Sequence, residues 1–358
     1  MRQVVQHFPL LARHRPACLP LPARIRNLTG LAEQAEATRD QGTASAVLNQ
    51  AALLASDTGA AEYAQRLCRD QAHIFLASGP LDGPTAIRAL EPIINLGRLH
   101  TRAGAPDEAR SNLAHLAEAI RTRTEATIHG VTISSRLVVD DLGRQEVLAW
   151  LWRVTLADGT RTLTTQGRWQ EALEHVRAHR GIGNRMLDGR QVAVAAHLML
   201  QDQQAATALV AATQAGEPWE NDVTALLAAT CRQATVGHLS EPTVQHLVHL
   251  GSREHEPGRT VFATRLALAA HAQLRAHPVT AVAAQHLQAL IRRRVLAAAD
   301  GYAAWDALAH LPVTGPETSA LRELVDLCAL GRGLPTEHRV VLDTATAIAA
   351  DTIRASLR

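Results

Sequence analysis

The chain has 358 residues, of which 47% are apolar but only 3% aromatic, and its 36 basic side chains face 34 acidic ones. That length exceeds one ordinary compact domain and implies two domains or one elongated array. Near-neutral charge argues against general nucleic-acid binding, which needs a basic excess, and no run of about eighteen apolar residues predicts a membrane span.

Ala and Leu dominate the apolar content. Ala has the best helix propensity, and its small side chain lets helices pack closely, so the composition suits many thin helical layers. Lysine is absent, and every basic residue is Arg or His. A GC-rich coding sequence produces that bias, which points to a high-GC bacterium. The absence also excludes Schiff-base chemistry on lysine and the phosphate-binding lysine of a P-loop or kinase. Cys18, Cys68, Cys231 and Cys328 lie far apart with no C-x-x-C pair, as expected of buried thiols in a cytoplasmic protein.

Residues 1–23 carry Pro9, Pro16, Pro20 and Pro22, and no acid precedes Glu33. This predicts an extended, basic, poorly ordered arm with no signal-peptide apolar region. Helical patterning begins near residue 24. Val47, Ala51 and Leu54 fall at i, i+4, i+7; so do Val147, Leu151 and Val154, and again Val341, Ala345 and Ile348. Gly and Pro interrupt the pattern at short intervals, and connections that short force antiparallel neighbours.

Within 24–125, Ile93-x2-Leu96-Gly97-x2-His100 is followed by Gly104 and by Ala109-x3-Leu113. This spacing resembles the tetratricopeptide repeat, with Ile93 in its Trp slot and His100 in its Tyr slot. Gly97 and Ala109 are small where two helices would touch. Gly167, Ala172 and Val176 repeat the spacing, with Gly159 and Thr160 where Leu-Gly is expected; Gly59 with Ala64 is a fainter copy. The resemblance implies an all-α array of antiparallel helical pairs stacked as a superhelical α-solenoid with a concave binding face, and it carries no catalytic residue.

An insertion over 126–142 separates these repeats from a second helical stretch at 143–358. Its core, 127–133, is β-branched and alternating with His129-Gly130 at the centre, which predicts a β-hairpin or extended loop. Asp140-Asp141 with Gln145-Glu146 is similar to the aspartate-rich metal motif of terpene cyclases. The acids precede the Val147 stripe, however, where a helix start wants caps, and aromatic poverty denies a cyclase its pocket.

His175 and His179 stand four apart, and His238, His246, His249 and His255 form a second group. Neither has the H-E-x-x-H arrangement or a completing Cys or carboxylate, so no metal site is expected. Arg292-Arg293-Arg294 reads as a solvated helix face.

Residues 181–191 hold three glycines with Asn184, Arg185 and Arg190, a combination whose amides and guanidinium forks suit a carboxylate or phosphate. Residues 216–222 read as a helix start, with Pro218 in the first turn, Glu220 and Asp222 at the positive dipole end, and Trp219 as a large anchor. If these two loops meet, Asn184, Arg185, Arg190, Trp219, Glu220 and Asn221 line one ligand- or partner-binding pocket. No catalytic residue and no cofactor is assigned. The expected function is a non-catalytic scaffold for a protein or peptide partner, regulatory or accessory to a biosynthetic pathway. The alternative is an enzyme acting on a small molecule or peptide between helical layers, with Glu220, Asp222 or a nearby His as base.

Overall fold

The computed structural model describes residues 1–358 except Glu254, His255, Pro257 and Thr314. Among the described residues the fold is all-α, with 17 α-helices, one 3-10 turn and one short hairpin. The helices are α1 (Arg2–Val5), α2 (Leu21–Thr38), α3 (Gln41–Asp57), α4 (Ala61–Leu76), α5 (Gly83–Arg102) and α6 (Pro106–Thr122). After the strands β1 (Ala126–Ile128) and β2 (Val131–Ile133) come α7 (Asp141–Thr165), α8 (Trp169–Ala178), α9 (Asp188–Met199), α10 (Gln203–Ala211) and α11 (Pro218–Val236). The chain ends with α12 (Glu241–Ser252), α13 (Thr260–Arg275), α14 (Ala281–Ala298), α15 (Gly301–His310), α16 (Pro316–Leu327) and α17 (Thr336–Ser356).

The chain divides into two compact units, each discontinuous in sequence. The first comprises Met1–Leu19 with Gly159–Cys328, the second Pro20–Asp158 with Ala329–Arg358. The boundary therefore falls inside α7, not at the 126–142 insertion where the composition changes.

In the second unit, α2 to α6 pack in sequence and α17 returns against α2 and α3. The short connections dictate antiparallel neighbours. Helix starts are set by side-chain caps: Asp40 accepts from the amides of Gly42 and Thr43 at 3.0 and 3.1 Å, and Asp82 from that of Thr85 at 2.8 Å. The stripe Val47, Ala51, Leu54 is buried as its spacing requires, and so are Val147 and Leu151. On α17 the buried face runs through Leu342, Ala345, Ala349 and Ile353, and Val341 is exposed. The apolar run there is wider than one face, so the spacing starting at Val341 names the wrong edge of it.

The helices α5 and α6 pack against each other through the Ile93–Leu113 stretch. Ile93, Leu96, Ala109 and Leu113 are buried, and a Cβ on Gly97 would stand 4.0 Å from that of Ala109. The insertion forms an antiparallel hairpin, with Ile128 paired to Val131 across the two-residue turn His129-Gly130. Residues 137–139 then run beside Leu81, which exchanges backbone hydrogen bonds of 2.8 and 2.9 Å with Leu137 and Val139. Asp140 caps α7 by accepting from the Gly143 amide at 2.7 Å, and Asp141 pairs with Arg123 and with Arg144.

In the first unit, α8 to α11 pack in sequence, α13 packs between α12 and α14, and α15 packs on α16. The N-terminal residues do not form the loose arm that their proline content suggests. Val4, Val5, Phe8, Leu10 and Cys18 are buried. The Leu10 amide donates to Gln191 Oε1 and the Leu10 carbonyl accepts from Gln191 Nε2 at 2.8 Å. The Cys18 carbonyl accepts from the Gly301 amide, and the Arg15 guanidinium lies 3.7 Å over the Tyr302 ring. Prolines keep this segment extended, and its backbone groups find partners on the helices they cross. All four cysteines are buried, and none of them is in a disulfide.

Candidate functional site

The two loops singled out from sequence come together in the first unit. Arg185 forms a two-point ion pair with Glu220, its Nε donating to Oε2 at 3.0 Å and its Nη2 to Oε1. Asn184 donates to Gln214 Oε1 at 2.7 Å. Arg190 is buried, and donates to the carbonyls of Gly183 and Leu209 and to the Thr213 hydroxyl. Trp219 is half-buried, donates from Nε1 to Glu217 Oε2 at 2.9 Å and meets Phe262 edge-on. Asn221 is exposed and its Oδ1 accepts weakly from the Gly216 amide at 3.4 Å. Glu217 and Glu220 make a reciprocal cap on α11. Asp222, one of the bases considered from sequence, pairs with Arg253 at 2.7 Å. The donors proposed for a ligand thus point at internal carboxylates and carbonyls, and bind loop to loop.

A concave site of about 420 Å³ lies in the second unit, walled by α3, α5 and α7. That volume falls in the ordinary range for ligand pockets. Its floor is apolar, with Leu53, Ile94, Leu99 and Trp150. Across it runs a ladder of polar side chains. Asn49 donates to Glu91 at 3.2 Å, Asn95 donates to Asn49 at 3.0 Å, and Arg98 donates to Asn95 at 3.0 Å and to Asp158 at 2.9 Å. Arg102 closes the far end, donating to the Ser56 hydroxyl and lying 3.6 Å from Asp57.

The helical period explains the ladder: Glu91, Asn95, Arg98 and Arg102 recur at steps of four, three and four, which is one face of α5. Burial raises the Glu91 carboxyl above its ordinary value, against the opposing pull of Asn49, Arg88 and Arg98. Burial pushes the Cys68 thiol up to about 12, so it does not supply a thiolate at neutral pH. Sequence patterning did not single this ladder out, because Asn49 and Asn95 are ordinary helix residues until two helices face each other.

The histidine pairs considered from sequence behave differently from one another. His175 and His179 stack with ring centroids 4.2 Å apart, and His179 Nδ1 lies 2.9 Å from the His175 carbonyl. His246 and His249 lie on α12 near Asp222, and His255 is outside the described residues. A different group converges in the second unit. His100, Glu108 and His129 each offer a ligand atom, and those atoms lie within 4.8 Å of one another. Burial, and then His100, lowers the His129 pKa to about 4.

This geometry defines a class: an all-α array of packed helical pairs carrying a concave, amide-lined site on one of its units. No known protein family, no curated protein and no solved structure matches the chain.

Proposed function

We propose that the chain is a non-catalytic, tetratricopeptide-like scaffold that holds an extended peptide or protein segment in the α3–α5–α7 groove. The observation that carries this reading is the ladder Glu91–Asn49–Asn95–Arg98 above an apolar floor. A carboxamide offers two donors and two acceptor positions, the complement of a peptide unit. Two facing carboxamides, each with part of that capacity spent on the other, can share a peptide backbone without reading its side chains. Arg98 and Arg102 at one end are half-exposed and keep guanidinium donors beyond those spent on Asn95, Asp158 and Ser56, which suit a carboxylate on the bound segment. The groove replaces the 184–221 loop pair as the favoured contact surface, because it joins carboxamides to an apolar floor, whereas the donors of that pair bind loop to loop.

The test is selection of random linear peptides on the full chain, followed by calorimetric titration of the enriched sequences. Binding is expected at one peptide per chain, weakened about tenfold or more by Asn95→Ala and by Arg98→Ala, that is, by at least about 1.4 kcal/mol. Circular dichroism checks that both variants fold. Failure to enrich any peptide, or equal binding by both variants, overturns the reading.

One observation favours an enzyme instead: the raised carboxyl of Glu91 in the groove is suited to general acid work. That reading requires turnover of a bound small molecule or peptide that Glu91→Gln abolishes while binding persists.

A further inference from the structure

His100, Glu108 and His129 come from three different elements. His100 lies in the last turn of α5, Glu108 in the first turn of α6 and His129 at the tip of the hairpin. The rings of His100 and His129 stand 4.5 Å apart at 34°, and His100 Nδ1 lies 3.8 Å from Glu108 Oε1. His129 Nδ1 is buried and has no hydrogen-bond partner among the described residues. A buried imidazole nitrogen without a partner leaves its desolvation cost uncompensated, so it is an uncommon feature of a folded chain.

The backbone holds His129 in place. His129 and Gly130 have φ of +51° and +81°, as a two-residue turn with left-handed residues at both positions requires. Asn, Asp or Gly is the usual first residue of that turn, and His occupies it here. The ring passes over α5 at Gly97, where an added Cβ would come within 3.3 Å of His129 Nε2. Gly97 is thus small for the hairpin as well as for Ala109. Glu108 is exposed, so one side of the group opens to solvent. The charge opposing a cation here is Arg69, which acts on the His129 ring and donates to Gln65 at 3.1 Å.

We propose that His100, His129 and Glu108 form a binding site for one divalent first-row transition metal ion, with Zn²⁺ as the reference ion. Two imidazoles and one carboxylate are a donor set that Zn²⁺ accepts, with water completing the coordination. Ligand atoms in a tetrahedral zinc site are about 3.3 Å apart at the usual bond lengths, within reach of this group by small side-chain rotations. The bound ion would tie the hairpin to the α5–α6 pair, a role independent of the peptide groove.

The probe is Zn²⁺ itself, titrated into chelator-treated full-length protein carrying no polyhistidine tag, with bound metal counted by elemental analysis. One equivalent is expected. Binding should be lost in His129→Asn, which keeps a residue suited to the left-handed turn, and weakened at least tenfold in Glu108→Gln. The hairpin amides should exchange more slowly when zinc is bound. His175→Gln should leave binding unchanged. No retained zinc, or one equivalent that survives His129→Asn in a folded protein, overturns the site; loss on His175→Gln alone moves the metal to the α8 pair and overturns it equally.

Discussion

Gly301 shows how tightly the first unit is built around its N-terminal segment. A Cβ there would lie 2.6 Å from Cys328 Sγ and 3.2 Å from the Cys18 carbonyl oxygen. That carbonyl already accepts from the Gly301 amide at 2.9 Å and from the Cys328 thiol at 3.0 Å. All three residues are buried, so the crowding has no flexible side-chain end to absorb it. Gly301→Ala is therefore expected to destabilise the protein by about 1–3 kcal/mol, read as a lower urea midpoint with an unchanged slope. An unchanged midpoint would mean that residues 10–18 are not seated on α15. Nothing in the sequence marks this contact. Cys18 lies hundreds of residues before Gly301 and Cys328, and prolines around Cys18 suggest an unpacked chain. Arg185 and Glu220 are the converse case. The loops were legible as unusual and they meet, but a sequence cannot say whether a guanidinium will find its acceptor inside the fold or on a partner.

Among the helices, α5 carries the largest share of the side chains of the two proposed sites taken together. One face supplies Glu91, Asn95, Arg98 and Arg102 to the groove, and its last turn supplies His100. Its start is fixed by Asp82, whose side chain accepts from the Thr85 amide and hydroxyl, and these hydrogen bonds hold the Asp82 carboxyl below its ordinary value. Asp82→Ala should cost about 1 kcal/mol by loss of the cap. The cost should appear as faster amide exchange in the first turns of α5, and uniform exchange rates along α5 would contradict it.

The α5–α6 pair was the most legible part of the chain, since Gly97, Gly104, Ala109 and Leu113 carry local spacing that needs no distant partner. The hairpin was legible for the same reason, from alternation around His129-Gly130. What local spacing could not show was the contact of His129 with His100, or the facing of Asn49 by Asn95. Each joins elements whose approach is set by packing alone.

For the whole molecule, the sequence supports an all-α array but hides its division. Each unit is closed by a segment from elsewhere in the chain: residues 1–19 complete the first, and α17 completes the second. The first unit also contains its own acid sensitivity. His7 is buried beside His310, Arg265 and His271, and burial, then His310, lowers its pKa to about 3. Burial, with Arg275 and Arg292, lowers that of His271 to about 4. Between these values and the ordinary 6.5, the unfolded chain binds protons that the folded chain refuses. Stability is thus full above pH 6.5 and falls as pH drops from 6.5 toward 3. His7 and His271 act on the first unit and His129 on the second, so amides of residues 4–8 and 10 should lose exchange protection near pH 5 before those of α3 and α4 do. Equal loss in both would assign acid sensitivity elsewhere, and His7→Phe should reduce it.

A peptide segment is proposed to lie in the groove of the second unit. Hydrogen exchange of the full chain, with and without a peptide selected on it, locates that contact directly. Slowed exchange is expected only in α3, α5 and the middle of α7, around Asn49, Asn95 and Trp150. Slowing confined to residues 181–222 would return the site to the Arg185–Glu220 loops, and no change anywhere would contradict the scaffold itself.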